Sequence, residues 1–193
     1  MAAAGKHRDA ILAASVKLFR QRGYAGTGLA DVVAESGAPK GSLYHYFPGG
    51  KTEIGAEAVQ LAGETVARTL KTLAGESDGP GDLLTRYLEM LAGWMAQSGY
   101  RDGCPITTTL LETVPEHTAI RDAGAAAFAA WAEVLTDAAT GAGIPEARAA
   151  TLAQFAIAAL EGALIQCRVS GSEAPLKLAA AELSALYEAA QTA

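Results

Sequence analysis

The pattern of apolar and polar residues predicts α-helices along almost the whole chain. Apolar side chains recur at intervals of three and four residues, the spacing that places them on one face of a helix, and no segment shows the alternation typical of a strand. Six of the seven prolines precede or open a predicted helix, where a missing N–H costs little. About nine helices result, two of them short and between residues 27 and 47, and the others at about 6–22, 50–73, 81–97, 105–113, 116–140, 145–170 and 175–190.

The two short predicted helices form a helix-turn-helix. Leu29, Val32 and Val33 give the first of them an apolar face. We expect Thr27 to be its N-cap and Gly37 to end it. The second helix of such a motif can enter the major groove of DNA, so the sequence predicts a DNA-binding protein.

The second short helix has an inward and an outward face. Leu43 and Phe47 lie four residues apart, and we assign Phe47 to the core. The remaining polar and aromatic side chains can donate to phosphates or contact base edges, although Tyr46 is as compatible with the core as with DNA. The residues predicted to contact DNA, through side chains or nearby helix N-terminal amides, are Thr27, Lys40, Gly41, Ser42, Tyr44, His45, Tyr46 and Lys51.

The charge of the chain is unevenly divided. The net charge is −6, but residues 1–52 carry seven basic and three acidic side chains, a balance of +4, and the remainder carries −10. Phosphate attracts basic surfaces. The charge therefore indicates that only the N-terminal part meets DNA.

The sequence of the motif resembles a known family. The segment VVAESGAPKGSLYHYFPGGKTEI, from Val32 to Ile54, is similar to the signature of TetR-type transcriptional regulators, and the likeness extends over about residues 6–60. Further on, GCPITTTLLET (103–113) and EGAL (161–164) resemble the LmrA/YxaF-type branch. The resemblance implies an all-α chain with an N-terminal three-helix helix-turn-helix domain (1–50) and a C-terminal helical bundle for ligand binding and dimerisation (51–193). It also implies a repressor that leaves DNA when a small molecule binds.

Two features depart from the family pattern. Gly28 places a flexible residue early in the first short helix, and a Gly49–Gly50 pair stands where the family often has one Ser or Asn before the Lys. We expect the pair to loosen the joint to the next helix and so to weaken coupling. The positions that match the DNA-contacting positions of the family are Thr27, Lys40, Ser42, Tyr44, His45 and Lys51.

The C-terminal helices are predicted to hold a ligand pocket and a dimer interface. Helical bundles place ligands between large apolar side chains, and we expect an uncharged, apolar inducer. The predicted lining residues are Met90, Trp94, Cys104, Thr108, Phe128, Trp131 and Phe155, each of which is also compatible with an ordinary core. The eighth and ninth predicted helices carry wide apolar and Ala-rich faces, which favour a homodimer that reads a pseudo-palindromic double-stranded DNA operator.

Composition argues against several other classes. No uninterrupted apolar run approaches the roughly 18 residues that span a bilayer, so we expect no membrane partner. Cys104 and Cys167 form no paired motif, which is consistent with a reducing, cytoplasmic compartment. The three histidines have no metal-ligand spacing, and we expect neither a metal nor a cofactor.

Three alternatives remain open at the level of sequence. Cys104 and His117 are candidates for the nucleophile and base of a thiol enzyme, but no third member is evident. A DNA-bound regulator controlled by a protein partner or by oxidation of Cys104 is a second alternative. Activation in place of repression is the third, because DNA contact does not reveal its consequence.

Overall fold

The computed structural model describes residues 2–192, which form nine α-helices and no strand. The predicted all-α fold is confirmed, and most helix ends lie within a few residues of their predicted places. The helices are α1 (Ala2–Arg22), α2 (Leu29–Ser36), α3 (Lys40–Tyr46), α4 (Gly50–Glu76), α5 (Pro80–Gln97), α6 (Pro105–Thr113), α7 (Thr118–Gly141), α8 (Glu146–Ser170) and α9 (Ala174–Gln191).

Local sequence accounts for several helix ends. Gly37 and Gly171 follow α2 and α8 with φ of +64° and +60°, a left-handed conformation that glycine adopts at little cost. Pro80 and Pro105 occupy the first turns of α5 and α6, where proline lacks only an N–H that would have no helical partner.

The beginning of α2 differs from the prediction. Thr27 is not the N-cap; that position belongs to Gly28, which therefore precedes the helix instead of lying within it. The backbone N–H of Gly28 donates to Asp31 Oδ2 at 2.8 Å. This carboxylate supplies the local support that a glycine cannot give through a side chain.

The chain divides into two compact units. The first comprises the chain up to Glu64 together with Cys104–Ala127, and the second comprises Thr65–Gly103 and the chain from Phe128 onwards. The first unit therefore contains α1, α2, α3, α6 and the N-terminal parts of α4 and α7. These units describe packing, and the functional division at residue 50 stays a prediction.

The first unit is built around α1, which packs against α2, α3 and α6. Leu43 of α3 and Phe47 after it are fully buried, which confirms the assignment of Phe47 to the core. The Arg8 guanidinium lies 5.7 Å from the centroid of the Phe47 ring and pairs with the Glu57 carboxylate. Since burying a Leu or Phe side chain contributes about 1.5–3 kcal/mol, these contacts hold α3 in place.

Two glycines bring α4 close to its neighbours in the first unit. A Cβ atom on Gly63 would lie 2.5 Å from Ala127 Cβ, and one on Gly55 would lie 2.9 Å from Ile120 Cδ1. Both distances are well below van der Waals contact, so a larger residue at either position would force the helices apart.

The second unit contains α5, α8 and α9 packed against one another. Its interior is apolar, and its largest members follow the helical spacing predicted from the sequence. The buried side chains include Leu83, Leu84, Tyr87, Leu88 and Leu91 of α5, Leu152, Leu160 and Leu164 of α8, and Leu176, Leu183 and Tyr187 of α9.

Helix α8 is more apolar than its uninterrupted runs suggested. It is long enough to cross a membrane, and its most apolar 18-residue window has a mean hydropathy of 1.4. Polar residues interrupt α8, so it reaches this mean hydropathy without containing an uninterrupted apolar run of that length. Of that window 44% is buried inside the protein, and a core helix passes the same test.

Tyr187 carries a polar group in the core of the second unit. Its side chain is fully buried, and its phenol oxygen has no hydrogen-bond partner among the described residues. Burial, partly offset by the charge of Arg148, raises the pKa of Tyr187 to about 12. A tyrosine in an unfolded chain titrates near ~10, so its contribution to stability is complete below pH ~10 and is lost as the pH rises towards ~12.

We predict that Tyr187→Phe leaves the free energy of unfolding at pH 7 unchanged or raises it, because the change removes a buried hydroxyl without a partner. The variant should also lose less stability than the parent between pH ~10 and ~12. Urea denaturation across this range measures both effects, with the exposed Tyr44→Phe as the control. A loss of about 1 kcal/mol or more at pH 7 would mean that the hydroxyl is hydrogen-bonded after all.

Candidate nucleic-acid interface and ligand site

The exposed face of α3 gathers most of the residues predicted to contact DNA. Lys40, Gly41, Tyr44 and His45 are exposed, and Tyr44 retains 55% of its surface. Leu43 lies on the opposite side and is fully buried. The apolar side of α3 therefore packs into the core of the first unit, and its polar and aromatic side faces solvent.

Ser42 and Tyr46 are half-buried at the edges of this face. The Ser42 backbone N–H donates to the Pro39 carbonyl at 2.8 Å, which closes the first turn of α3. The Tyr46 ring meets the His45 ring edge-on, with centroids 4.9 Å apart. Edge-on packing of this kind is a favourable arrangement of aromatic rings.

Thr27 does not belong to the exposed surface. Its side chain is fully buried, and its hydroxyl donates to the Gly23 carbonyl at 2.8 Å. The amide of the next residue is already bonded to Asp31. The Thr27 hydroxyl is therefore engaged within the protein, and the phosphate contact expected from the amides at the start of α2 stays a prediction.

Lys51 lies at the start of α4 with its ammonium group packed over the Tyr24 ring, 4.4 Å from the ring centroid. Burial lowers the pKa of Lys51, and the negative charge of Glu112 partly offsets that effect. The side chain is half-buried. Its predicted contact with a DNA phosphate stays a prediction.

The joint between α3 and α4 is hydrogen-bonded despite its glycine pair. The Gly49 N–H donates to Glu53 Oε2 at 2.7 Å, and the Gly50 N–H donates to the Phe47 carbonyl at 2.9 Å. Gly50 has a φ of +66°, a value that suits glycine. The pair thus permits a tight turn with local support, in contrast to the loosening expected from the sequence.

A crevice in the second unit is the candidate ligand site. Its free space is about 10 Å³, which is room for about one water molecule. The walls come from α4, α5, α7 and α8 and are almost wholly apolar. They consist of Leu70, Leu84, Tyr87, Trp131, Leu135, Ala156, Ile157 and Leu160.

Of the residues predicted to line a pocket, Trp131 lines this crevice. Phe128 does not line the crevice, but its ring packs edge-on against Trp131 at a centroid distance of 5.3 Å. Trp94 and Phe155 were expected to be buried, but they are 46% and 53% exposed. That expectation is wrong because helical spacing marks an apolar face without showing what covers it.

Met90, Cys104 and Thr108 do not line the crevice either. Met90 is half-buried on α5, and the other two belong to the first unit. Cys104 is the N-cap of α6, where the Thr108 hydroxyl oxygen lies 2.8 Å from the Cys104 carbonyl. Control by oxidation of Cys104 stays a prediction.

Metal-ligating side chains are dispersed over the chain. Within residues 2–192, no three His, Cys, Asp or Glu side chains lie close enough together to hold a metal ion. Cys104 and Cys167 are not joined in a disulfide, and burial raises the pKa of the Cys167 thiol.

Two residues of the first unit were not identified from the sequence. The Tyr24 ring is in contact with the Lys51 ammonium and with the rings of Phe19 and His117. Glu112 accepts a hydrogen bond from the Ala25 N–H in the turn next to Tyr24. Gly23 hinted at a tight turn, but nothing in the spacing linked it to a carboxylate 89 residues further on. The crevice residues likewise followed ordinary core spacing.

Two segments of the chain match known protein families. Residues 11–58 match the model for bacterial regulatory proteins of the tetR family, and residues 80–182 match that for the C-terminal domain of LmrA/YxaF-like transcriptional regulators. A helix-turn-helix unit with an exposed recognition helix thus belongs to a DNA-binding transcriptional regulator. The chain is a member of the TetR family.

Relatives agree with this assignment. The uncharacterized regulator Rv0196 of Mycobacterium tuberculosis is 36% identical over 176 residues, 89% of each chain. LmrA of Bacillus subtilis is 31% identical over 172 residues, 89% of this chain and 92% of LmrA. The crystal structure of reduced NemR from Escherichia coli has a TM-score of 0.80 at 25% identity, covering 92% of this chain and 94% of NemR. These relatives are regulators, so none of them supports a thiol enzyme.

We predict that Lys40→Ala weakens DNA binding similarly on all sequences and lowers the slope of log affinity against log salt by about one per recognition helix, because one phosphate contact is lost. Fluorescence anisotropy at four salt concentrations measures the slope. Lys71→Ala removes the same charge from an exposed site in the second unit and serves as the control. Equal slopes for both variants and the parent would refute a phosphate contact by Lys40.

Proposed function

We propose that the protein is a repressor that binds a pseudo-palindromic operator as a homodimer in the cytoplasm and is released by a small, uncharged, apolar molecule. The observation that carries this proposal is the exposed set Lys40, Tyr44 and His45 on a helix whose other side is buried. NemR, a relative with a similar fold, is named a transcriptional repressor, which favours repression over activation.

The recognition helix supplies two kinds of DNA contact. Lys40 and the hydroxyl of Ser42 suit phosphate oxygens, whereas His45 and the ring of Tyr44 suit base edges and thymine methyl groups. Gly41 adds no side chain, so the backbone can approach the duplex closely. The positive balance of residues 1–52 favours this end of the chain for DNA.

The dimer is proposed to form through α8 and α9. Phe155, Ile165 and Val169 are 53%, 52% and 84% exposed, and their spacing along α8 places them in one stripe with Ala158 and Gly162. An exposed apolar stripe of this length is typical of an interaction surface. A two-fold axis would pair the stripe with its own copy and present two recognition helices to two half-sites.

The inducer is proposed to occupy the crevice of the second unit. Walls of aliphatic and aromatic side chains without a charged group favour an uncharged apolar ligand, because a buried charge would lack a partner. A ligand larger than water has to open the crevice. It therefore binds the opened form alone and shifts the population towards it.

The functional division of the chain is proposed to fall near residue 50, with residues 1–50 as the DNA-binding domain and 51–193 as the ligand-binding and dimerisation domain. Helix α4 contains both Lys51, beside the recognition helix in sequence, and Leu70 in the crevice wall. A continuous helix transmits displacement along its axis. We therefore propose α4 as the element that couples inducer to operator.

We predict that uncharged apolar probes release the protein from DNA taken from upstream of its own gene, whereas their charged counterparts do not. Indole, toluene and hexanol, paired with indole-3-acetate, benzoate and hexanoate, test this in an anisotropy titration. Ala156→Leu fills the crevice wall and should abolish release while DNA binding persists. Ala150→Leu, exposed on the same helix, is the control.

Release by the charged probes alone would contradict the proposed ligand class. Overpacking costs about 1–3 kcal/mol, so the thermal midpoint of each variant is measured in parallel. Release that survives in a folded Ala156→Leu variant would place the ligand elsewhere. Failure of the unmodified protein to bind any upstream DNA would count against an operator at its own gene.

We predict that Ile165→Glu combined with Val169→Glu converts the dimer into a monomer and reduces operator affinity, because two carboxylates would be buried at a self-complementary interface. Light scattering after size exclusion should give the single-chain mass of 19.7 kDa for this variant and twice that for the parent. Gln166→Glu adds a charge at an exposed site beside the stripe and should stay dimeric. A dimeric double variant would exclude α8 from the interface.

A further inference from the structure

We propose that Glu112 is a positioning residue for operator binding: its carboxylate binds the turn between α1 and α2 and thereby fixes the orientation of the helix-turn-helix. Glu112 lies on α6, far in sequence from the DNA-binding motif, and belongs to the same compact unit. The inference rests on the proposed contact of α3 with DNA.

The first contact is a hydrogen bond to the backbone of the turn. The Ala25 N–H donates to Glu112 Oε2. The other carboxylate oxygen lies against Gly23, where a Cβ atom would be 2.2 Å from Glu112 Oε1. Gly23 has a φ of +78°, so glycine serves both the turn and the close approach of the carboxylate.

A second contact joins α6 to the end of α1. The Thr108 hydroxyl oxygen, one helical turn before Glu112, lies 3.2 Å from the Phe19 carbonyl and 2.8 Å from the Cys104 carbonyl. It donates to one of these at a time. The same Phe19 carbonyl accepts from the Gly23 N–H at 3.0 Å, so α6 reaches the turn at two adjacent points.

The third feature is the group of side chains around Tyr24. Its ring centroid lies 5.4 Å from that of Phe19 and 6.1 Å from that of His117, and the Lys51 ammonium lies 4.4 Å from it. The charge of Glu112 acts on Lys51 and favours its protonated form. One carboxylate therefore supports both the turn before α2 and the lysine at the start of α4.

The position of Glu112 in its helix is otherwise unfavourable. It is the penultimate residue of α6, where the helix dipole is negative and disfavours a carboxylate. The bond to Ala25 and the nearby Lys51 charge offset this cost. A carboxylate that served only solubility would not require a glycine at position 23, where a Cβ atom would collide with it.

Three variants separate the roles of the carboxylate. Glu112→Ala removes the acceptor and the charge, whereas Glu112→Gln keeps an oxygen for the Ala25 N–H and removes the charge alone. Glu116→Ala removes the same charge from an exposed position four residues further on and is the control. Both Glu112 variants remove the charge, including its effect on Lys51, so an operator complex that is weaker in Glu112→Ala than in Glu112→Gln reports the lost acceptor.

We expect Glu112→Ala to weaken operator binding about tenfold, the effect of losing a charge-assisted hydrogen bond, and Glu112→Gln to recover most of that loss. Non-specific binding to random DNA should stay unchanged or strengthen slightly in all three variants. Amide exchange of Ala25, followed by NMR, should accelerate in Glu112→Ala but much less in Glu112→Gln. Anisotropy titrations supply the affinities.

Equal operator affinity for Glu112→Ala and Glu116→Ala would overturn the inference, as would an Ala25 amide that exchanges at the parent rate in Glu112→Ala. If Glu112→Ala does not fold, recovery of operator binding in Glu112→Gln still supports the role of the oxygen acceptor, and no recovery in a folded Glu112→Gln refutes it. The parent protein is titrated in the same series. Its failure to bind DNA would count against the proposed function, which is a separate outcome.

Discussion

The burial of Leu43 and Phe47 against α1 is the contact on which the DNA-binding unit depends. A helix of seven residues is too short to be stable alone, so α3 exists as a helix because its apolar side is packed. The same packing decides which side chains face solvent. Lys40, Tyr44 and His45 become available to a ligand because Leu43 and Phe47 are not.

Sequence patterns were sufficient for the helices and for the exposed face of α3. Periodicity, glycine C-caps and helix-opening prolines are local signals, and α1 to α9 lie close to their predicted ranges. The outward face of α3 followed from the same logic, because residues on one helix share a known geometry. The prediction of Thr27 as the N-cap of α2 was wrong. A sequence does not show whether a threonine hydroxyl caps the following helix or, as here, donates to a preceding carbonyl, that of Gly23.

Helical periodicity did not predict the features that join distant segments of the chain. Trp94 and Phe155 have the spacing of core residues but are half exposed, because periodicity cannot distinguish a face covered by the same chain from one left open. The crevice around Trp131 draws on four helices, and the bond between Glu112 and Ala25 spans 87 residues. Each depends on tertiary packing, for which a single sequence holds no local signal.

The near absence of free space in the crevice has a kinetic consequence. A site with room for about one water molecule admits a larger ligand only after the surrounding helices separate. At high ligand concentration the observed rate of binding therefore reaches a maximum, which equals the rate at which the crevice opens. Adding more ligand beyond that concentration does not speed up binding. If the proposed inducer binds here, the delay before derepression at saturating dose is set by how α4, α5, α7 and α8 pack and not by the inducer concentration.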